Sequence, residues 1–250
     1  MKFDVGLYWD ALTSTQFLHG AFLTVTLALA SQVAATAIGF VLALMRTSKP
    51  WPVRAVSAVY VWIWRAIPTL LWLLLIWNAL PQLIPALTEE WFTPFLAGFI
   101  GLSLAEAAYM AEIFRSALLS VDPEQRMAAK ALGMTPPQTM RKVVLPQVIR
   151  IAIPPTGNEL ITMLKFTSLT SVISLQELLT VAQQKISATF LYAEFYAAAA
   201  TYYLVIVSIL MVGQMQLERR YEWRTRGGRR WGLPQRLRSE APGVRAEGAG

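Results

Sequence analysis

Four ionisable residues, Arg65, Glu106, Glu159 and Lys165, stand inside stretches of the chain that are otherwise apolar. A charge turned to lipid at the bilayer centre costs ~2.5–3.5 kcal/mol on insertion scales, so such groups face a bundle interior or a wet cavity. An interior holding both signs can recognise a zwitterion, whose carboxylate seeks a cation and whose ammonium seeks an acid. Glu106 and Tyr109 share one helical face, and Glu112 and Arg115 repeat that spacing further along the same segment, where they read as an interfacial ion pair. Pro154, Pro155 and Gly157, just before Asn158 and Glu159, predict a helix break that frees backbone groups to meet a ligand. Arg65 also has a purely structural reading, snorkelling to the interface or pairing inside the bundle.

Other chemistries are closed. The chain has no Cys, which excludes disulfides, thiolate metal sites and a Cys nucleophile. Its single His, His19, leaves little for imidazole catalysis or zinc, and no catalytic or metal-binding residue is expected. A Walker phosphate loop needs Gly-Lys followed by Ser or Thr, and none of the six Lys residues follows a Gly. Any ATP-driven work must come from a separate subunit.

Elements able to position intramembrane charges are visible in the composition. Hydrophobic residues make up 55% of the 250-residue chain and charged residues 15%, with mean hydropathy +0.45. That balance excludes a disordered chain and points away from a water-soluble domain. About 20 residues without exposed charge cross a ~30 Å hydrocarbon layer as a helix. Five segments qualify: Gly20 to Leu44, Ser57 to Ala79, Trp91 to Ala111, Ile151 to Leu175 and Phe195 to Leu217. Alternating the loops between the two sides puts 18 of the 22 Lys and Arg on one side, which the positive-inside rule makes the cytoplasm. The net charge of +7 is therefore a topology signal, and no nucleic-acid partner is expected. The expected fold is all-α, a polytopic membrane protein of five transmembrane helices with its N-terminus outside and its C-terminus cytoplasmic.

Residues 1–19 form a periplasmic or interfacial segment in this reading, 20–217 the membrane domain with a cytoplasmic loop at 116–150, and 218–250 a basic tail expected to be disordered. Asp4 and Asp10 and the length of the first apolar run argue against a cleaved signal peptide.

The cytoplasmic loop is patterned as two short helices. Asp122, Pro123 and Gln125 predict a capped start, and Gly133 a left-handed stop. Thr135, Pro136, Pro137 and Gln138 repeat the cap, and the second helix is expected to end before Pro146. Ala129 and Gly133 lie four apart on one face, where a partner could approach the backbone closely, unless these small residues merely pack the loop on its own bundle.

The run MAAKALGMTPPQTMRKVVLPQ, from Met127 to Gln147, resembles the EAA loop of permease subunits of bacterial ATP-binding-cassette importers. The resemblance extends through AEAAYMAEIFR at Ala105 to Arg115, PPTGNELITMLKFTSL at Pro154 to Leu169, and the Arg65 to Thr69 stretch, over roughly Gly20 to Arg220. Together these look like the polar amino-acid uptake branch, with histidine, glutamine, glutamate, arginine and opine permeases. Two positions depart from it: the usual Glu of the triplet is Met127, and the usual Gly three residues earlier is Glu124.

The resemblance implies a bacterial inner-membrane permease that passes a polar amino acid. Two ATPase subunits dock on a coupling helix at Ala128, Ala129, Gly133, Met134, Leu145 and Pro146. A second permease copy or a homologue completes the channel, and a periplasmic or lipid-anchored amino-acid-binding protein delivers substrate. ATP and Mg belong to the partner ATPase, with no cofactor on this chain; membrane lipids surround it. Glu106, Tyr109, Asn158 and Glu159 are the expected substrate path, joined by Lys165, Thr167 and Ser168 of a Lys-x-Thr-Ser-Leu motif that resembles the family's and has gating and structural readings too. The rivals are a self-contained proton-coupled carrier using Glu106 or Glu159, and a membrane anchor without transport.

Overall fold

The computed structural model describes residues 3–221, and every regular element among them is helical. A short helix α1 (Val5–Thr13) opens the chain, capped by the Asp4 carboxylate, which accepts from the Leu7 N–H at 3.1 Å. It leads almost directly into α2 (Thr15–Arg46), so the first long apolar helix starts earlier than the expected Gly20. The Tyr8 hydroxyl meets that of Thr201 at 2.9 Å and the Tyr202 hydroxyl donates to the Leu12 carbonyl at 2.6 Å, which holds α1 to the last helix, α11 (Tyr192–Tyr221).

Among the described residues three helices are long and apolar enough to cross a membrane: α2, α6 (Pro94–Leu119) and α11. The expected second crossing is not one helix. It divides into α3 (Trp51–Ala66) and a second arm, α4 (Thr69–Leu74) continuing through a π turn to α5 (Leu80–Leu83), and the two arms meet at 98°. The cause is local: Pro68 disfavours helical backbone at the residue before it, and Ile67 is extended at φ −96°, ψ 131°. Trp64 and Trp72 stack across the bend with ring centroids 4.0 Å apart.

The loop after α6 also differs from expectation. Helix α7 (Pro123–Ala131) forms as predicted, with Asp122 Oδ1 accepting from the Glu124 N–H at 2.8 Å. Gly133 stops it at φ +75°, the Gly133 N–H donating to Lys130 and the Met134 N–H to the Ala129 carbonyl, each at 3.0 Å. These are the paired bonds of a Schellman motif, which requires a residue at ease in the left-handed region. The second short helix does not end before Pro146. α8 (Pro136–Thr139) passes through a π turn at Met140–Val144 into α9 (Leu145–Phe166), a single helical run. Pro146 lies inside that run, directly after the π turn.

Nor does α9 break at Pro154 and Pro155; both lie inside it. The prolines cost α9 the bonds to the carbonyls four residues before each, and the neighbouring α11 packs along the same stretch. The Gln214 amide donates to the Pro154 carbonyl at 3.3 Å and to Asn158 Oδ1 at 3.1 Å. Gly157 permits this approach, since a Cβ there would come within 2.6 Å of Gln214 Cδ. The expected fourth crossing, Ile151 to Leu175, therefore begins earlier and ends earlier as an α-helix, with a 3-10 segment at Thr167–Ile173 after it. α9, which carries Arg150, Glu159 and Lys165, is not among the helices apolar enough to cross by composition alone. α10 (Leu178–Thr189) packs on the start of α2, its Leu178 N–H donating to Thr24 Oγ1 at 3.2 Å. The basic tail expected to be disordered lies, from residue 222 on, outside the described residues.

The principal packing is α2 on α6, and small residues make it possible. Ser31, Ala35, Gly39 and Ala43 of α2, spaced by four, face a run of alanines in α6. Without a strong hydrophobic drive between helices in lipid, close backbone approach supplies the attraction. At Gly39 a Cβ would lie 2.5 Å from Met110 Cβ and 3.0 Å from the Ala107 carbonyl oxygen. A valine at Gly39 is expected to destabilise the chain by about 1–3 kcal/mol or more through overpacking. The thermal midpoint of Gly39→Val in detergent should fall clearly below that of wild type, and an unchanged midpoint would contradict the crossing described.

Candidate functional site

Glu106 lies midway along α6, 3% exposed, and its Oε1 finds no hydrogen-bond partner. Across from it, on α9, the Glu159 carboxyl comes within hydrogen-bonding reach. One turn beyond Glu106, the Tyr109 ring lies under the Arg65 guanidinium, 5.2 Å from its centroid. Arg65 is near enough to Glu159 to act on it electrostatically. The bend after Ile67 makes this possible, since it ends α3 with Arg65 in the last turn, beside α6.

Two voids frame the group. A crevice among Thr69, Glu106, Tyr109, Met163 and Phe166 runs between α4, α6 and α9. An open cavity of about 410 Å3 lies beside it, lined by Arg65, Tyr109, Glu112 and Trp62 among others. Glu112 is held there by Arg115, with Nε donating to Oε2 at 2.7 Å, both partly exposed, the ion pair expected from their spacing. A larger cavity of about 610 Å3 between α9 and α11 is walled almost wholly by apolar side chains, which offers little to a polar solute.

Chemically, the arrangement is a cation-bearing mouth beside two facing carboxylates. Two carboxyls within hydrogen-bonding reach can share one proton and hold a single negative charge, which attracts a cationic ligand group while Arg65 takes an anionic group.

The expected path residues separate into two groups. Glu106, Tyr109 and Glu159 converge, whereas Asn158 is exposed and turned to Gln214 of α11. Lys165 is exposed. The Thr167 hydroxyl, fully buried, donates to the Leu164 carbonyl at 2.7 Å, and that of Ser168 donates to the Lys165 carbonyl at 2.7 Å. Arg65, absent from the expected path, is the residue the structure adds; its charge inside an apolar run was the signal, and the two residues before Pro68 place it. Glu177 is a second buried carboxylate. It caps α10, accepting from the Leu179 and Thr180 N–H groups at 2.9 and 2.7 Å and from the Tyr203 hydroxyl at 3.1 Å, a fully satisfied structural role.

At the far end of α6 the α7 knob presents a second surface. Ala128, Gly133 and Pro146 are exposed, Met134 and Leu145 half-buried, and Ala129 buried at 3%. Ala129 thus serves the internal packing of the knob, the structural alternative for that position. The sequence pattern overlooked Leu132, 83% exposed, and the outward face of Met127, 63% exposed. Large apolar side chains so displayed beside a glycine with open space around its Cα form a surface that fits a partner.

Comparison with known proteins places these features. Residues 35–223 match the family described as "Binding-protein-dependent transport system inner membrane component". The chain is 40% identical to the arginine transport system permease protein ArgU of Corynebacterium glutamicum over 86% of this chain and 72% of that protein. It is 33% identical to the glutamine transport system permease protein GlnP of Escherichia coli K12 over 88% of this chain and 98% of that one. Among solved structures, one described as "an amino acid ABC transporter with histidines" superposes with TM-score 0.77 at 34% identity, over 88% of this chain and all of that chain. A chain of the MetNI methionine transporter, at 18% identity and TM-score 0.69, shares the fold.

Proposed function

Since this chain belongs to the family of binding-protein-dependent transport system inner membrane components, we propose that it works as one half of a membrane channel driven by a foreign motor. It is the permease subunit of an ATP-binding-cassette importer for polar amino acids. Family membership favours this reading over a self-contained proton-coupled carrier.

In this proposal the chain crosses the membrane five times, with α2, the bent α3–α4 pair, α6, α9 and α11 as the crossings. At 1.5 Å per residue α9 is about 33 Å long, enough to span despite its charges if these face the interior. The excess of Lys and Arg at the α7 end makes that end cytoplasmic. Two ATPase subunits grip the α7 knob through Ala128, Gly133, Met134, Leu145 and Pro146, with Met127 and Leu132 as apolar anchors, and their ATP-driven closure supplies the differential binding energy that alternates access. A second permease copy or homologue faces this one, and an external binding protein delivers the amino acid. Its carboxylate meets Arg65 and its ammonium meets Glu106 and Glu159, with Tyr109 as wall and Asn158, Lys165, Thr167 and Ser168 bracing or gating the path.

The observation that carries the motor reading is the knob: a rigidly capped helix end that displays a nearly bare leucine beside a left-handed glycine. Reconstitution tests it. Vesicles holding the chain with its ATPase and binding protein should accumulate arginine or glutamine only with ATP and Mg. Vesicles holding the chain alone should accumulate neither under a proton gradient, and uptake there would overturn the reading.

A further inference from the structure

At the α7 end of the bundle a cavity of about 480 Å3 opens between the ends of α2 and α6 and the knob, and three arginines line it: Arg46, Arg115 and Arg126. Each is held differently. The Arg115 charge is matched by Glu112 at 2.7 Å. Arg126 Nη2 donates to the Leu118 carbonyl at 2.9 Å, near the end of α6. Arg46, in the last turn of α2, keeps a buried Nη1 with no hydrogen-bond partner. Among the described residues no carboxylate pairs with Arg46 or Arg126.

The charges do not cancel. Each helix C-terminus carries about half a negative charge, so the ends of α2 and α6 offset only part of two unpaired guanidiniums. A buried donor on a cation without an acceptor is costly, and an anion entering the cavity would supply that acceptor. Apart from Thr47, whose hydroxyl donates to the Ala43 and Leu44 carbonyls, the rest of the wall is apolar, with Leu118 buried, Met140 half-buried and Leu119 64% exposed. A planar guanidinium pair above apolar side chains, at the ends of two membrane-length helices, matches a group that is anionic at one end and greasy at the other.

We propose that this cavity is a phosphate-binding site, filled through Arg46 and Arg126 by the headgroup of an anionic phospholipid. A soluble phosphate shares the headgroup's chemistry but makes no use of the apolar wall. Arg46 also lines the cavity beside Arg65 and Tyr109, whereas Arg126 and Met140 belong to this one alone.

The full-length chain, purified in neutral detergent, is titrated with phosphatidylglycerol, phosphatidylcholine or inorganic phosphate while its thermal midpoint is followed. Phosphatidylglycerol should raise the midpoint saturably and phosphatidylcholine should not. Arg46→Gln should need about tenfold more phosphatidylglycerol for half the rise, the effect of one lost charge-assisted bond. Arg54→Gln, an exposed cation at the start of α3 outside the cavity, should behave as wild type. If Arg46→Gln does not fold, Met140→Trp, which fills the cavity without changing charge, must weaken the response likewise. A rise with inorganic phosphate that phosphatidylglycerol does not extend would support the site and reassign its ligand to the soluble source. Equal weakening in Arg46→Gln and Arg54→Gln, or none in Arg46→Gln and Met140→Trp, overturns the proposal.

Discussion

Gly133→Trp should abolish ATP-stimulated uptake while the protein still inserts and folds. A residue with a Cβ pays about 1–2 kcal/mol in the left-handed region, and at φ +75° Gly133 stands there, with nothing within 4 Å of a Cβ built on it. The bulk of tryptophan therefore has room in the isolated chain and meets only what docks on the knob. Strain and obstruction can be separated: Gly133→Asn tolerates the left-handed region and is small, so it should retain most of the uptake. Leu132→Asp, at a position 83% exposed, disturbs no internal contact and should lose uptake with an unchanged thermal midpoint. The measurement is ATP-dependent uptake by the reconstituted complex, alongside ATPase co-purification. Wild-type uptake and co-purification for both Gly133→Trp and Leu132→Asp would remove the knob from the coupling surface.

How much of this was legible beforehand follows from how local each determinant is. The start and stop of α7 are written in adjacent residues, Asp122 with Pro123 and Gly133 with Met134, although Gln125 turns to Gln147 and does not close the expected capping box. Long apolar helices are likewise readable because composition alone defines them. The bend between α3 and α4 was missed although its cause, Pro68, is just as local, because the apolar run continues smoothly through it. Opposite reasoning failed at Pro154 and Pro155. A proline inside a helix removes one backbone bond and need not break it, and the packing of α11 along this stretch of α9 is contributed from far along the chain. The same limit applied to the site. Glu106 and Tyr109 share a helix face and were paired by spacing. Arg65 and Glu159 joined them only through the crossing of α3 and α9 on α6, which no spacing encodes. The spacing of Ala129 and Gly133 leaves docking and internal packing open, and the burial of Ala129 is decided by how α7 sits against α8 and the π turn at Met140–Val144.

Neutralising Glu159 should impair uptake far more than folding. In Glu159→Gln the side chain keeps its shape and its hydrogen-bonding capacity but loses the charge that would face a substrate ammonium. A charge-assisted hydrogen bond contributes about 1.5–3 kcal/mol, and 1.4 kcal/mol is a factor of ten in affinity. Uptake at low substrate concentration should therefore fall at least about tenfold. The amide can keep a hydrogen bond to Glu106, so the thermal midpoint of the empty protein should stay near that of wild type. A merely structural carboxylate predicts the reverse: a lower midpoint with uptake per folded molecule unchanged. Glu106→Gln should follow Glu159→Gln. Asn158→Ala, turned to Gln214 instead, should lose stability through α11 and leave half-saturation near wild type. Measuring uptake and midpoint on the same preparations decides between the two roles. If both Glu→Gln variants transport normally, the acid pair does not line the path, and the cavity beside Arg65 and Tyr109 must take the substrate without it.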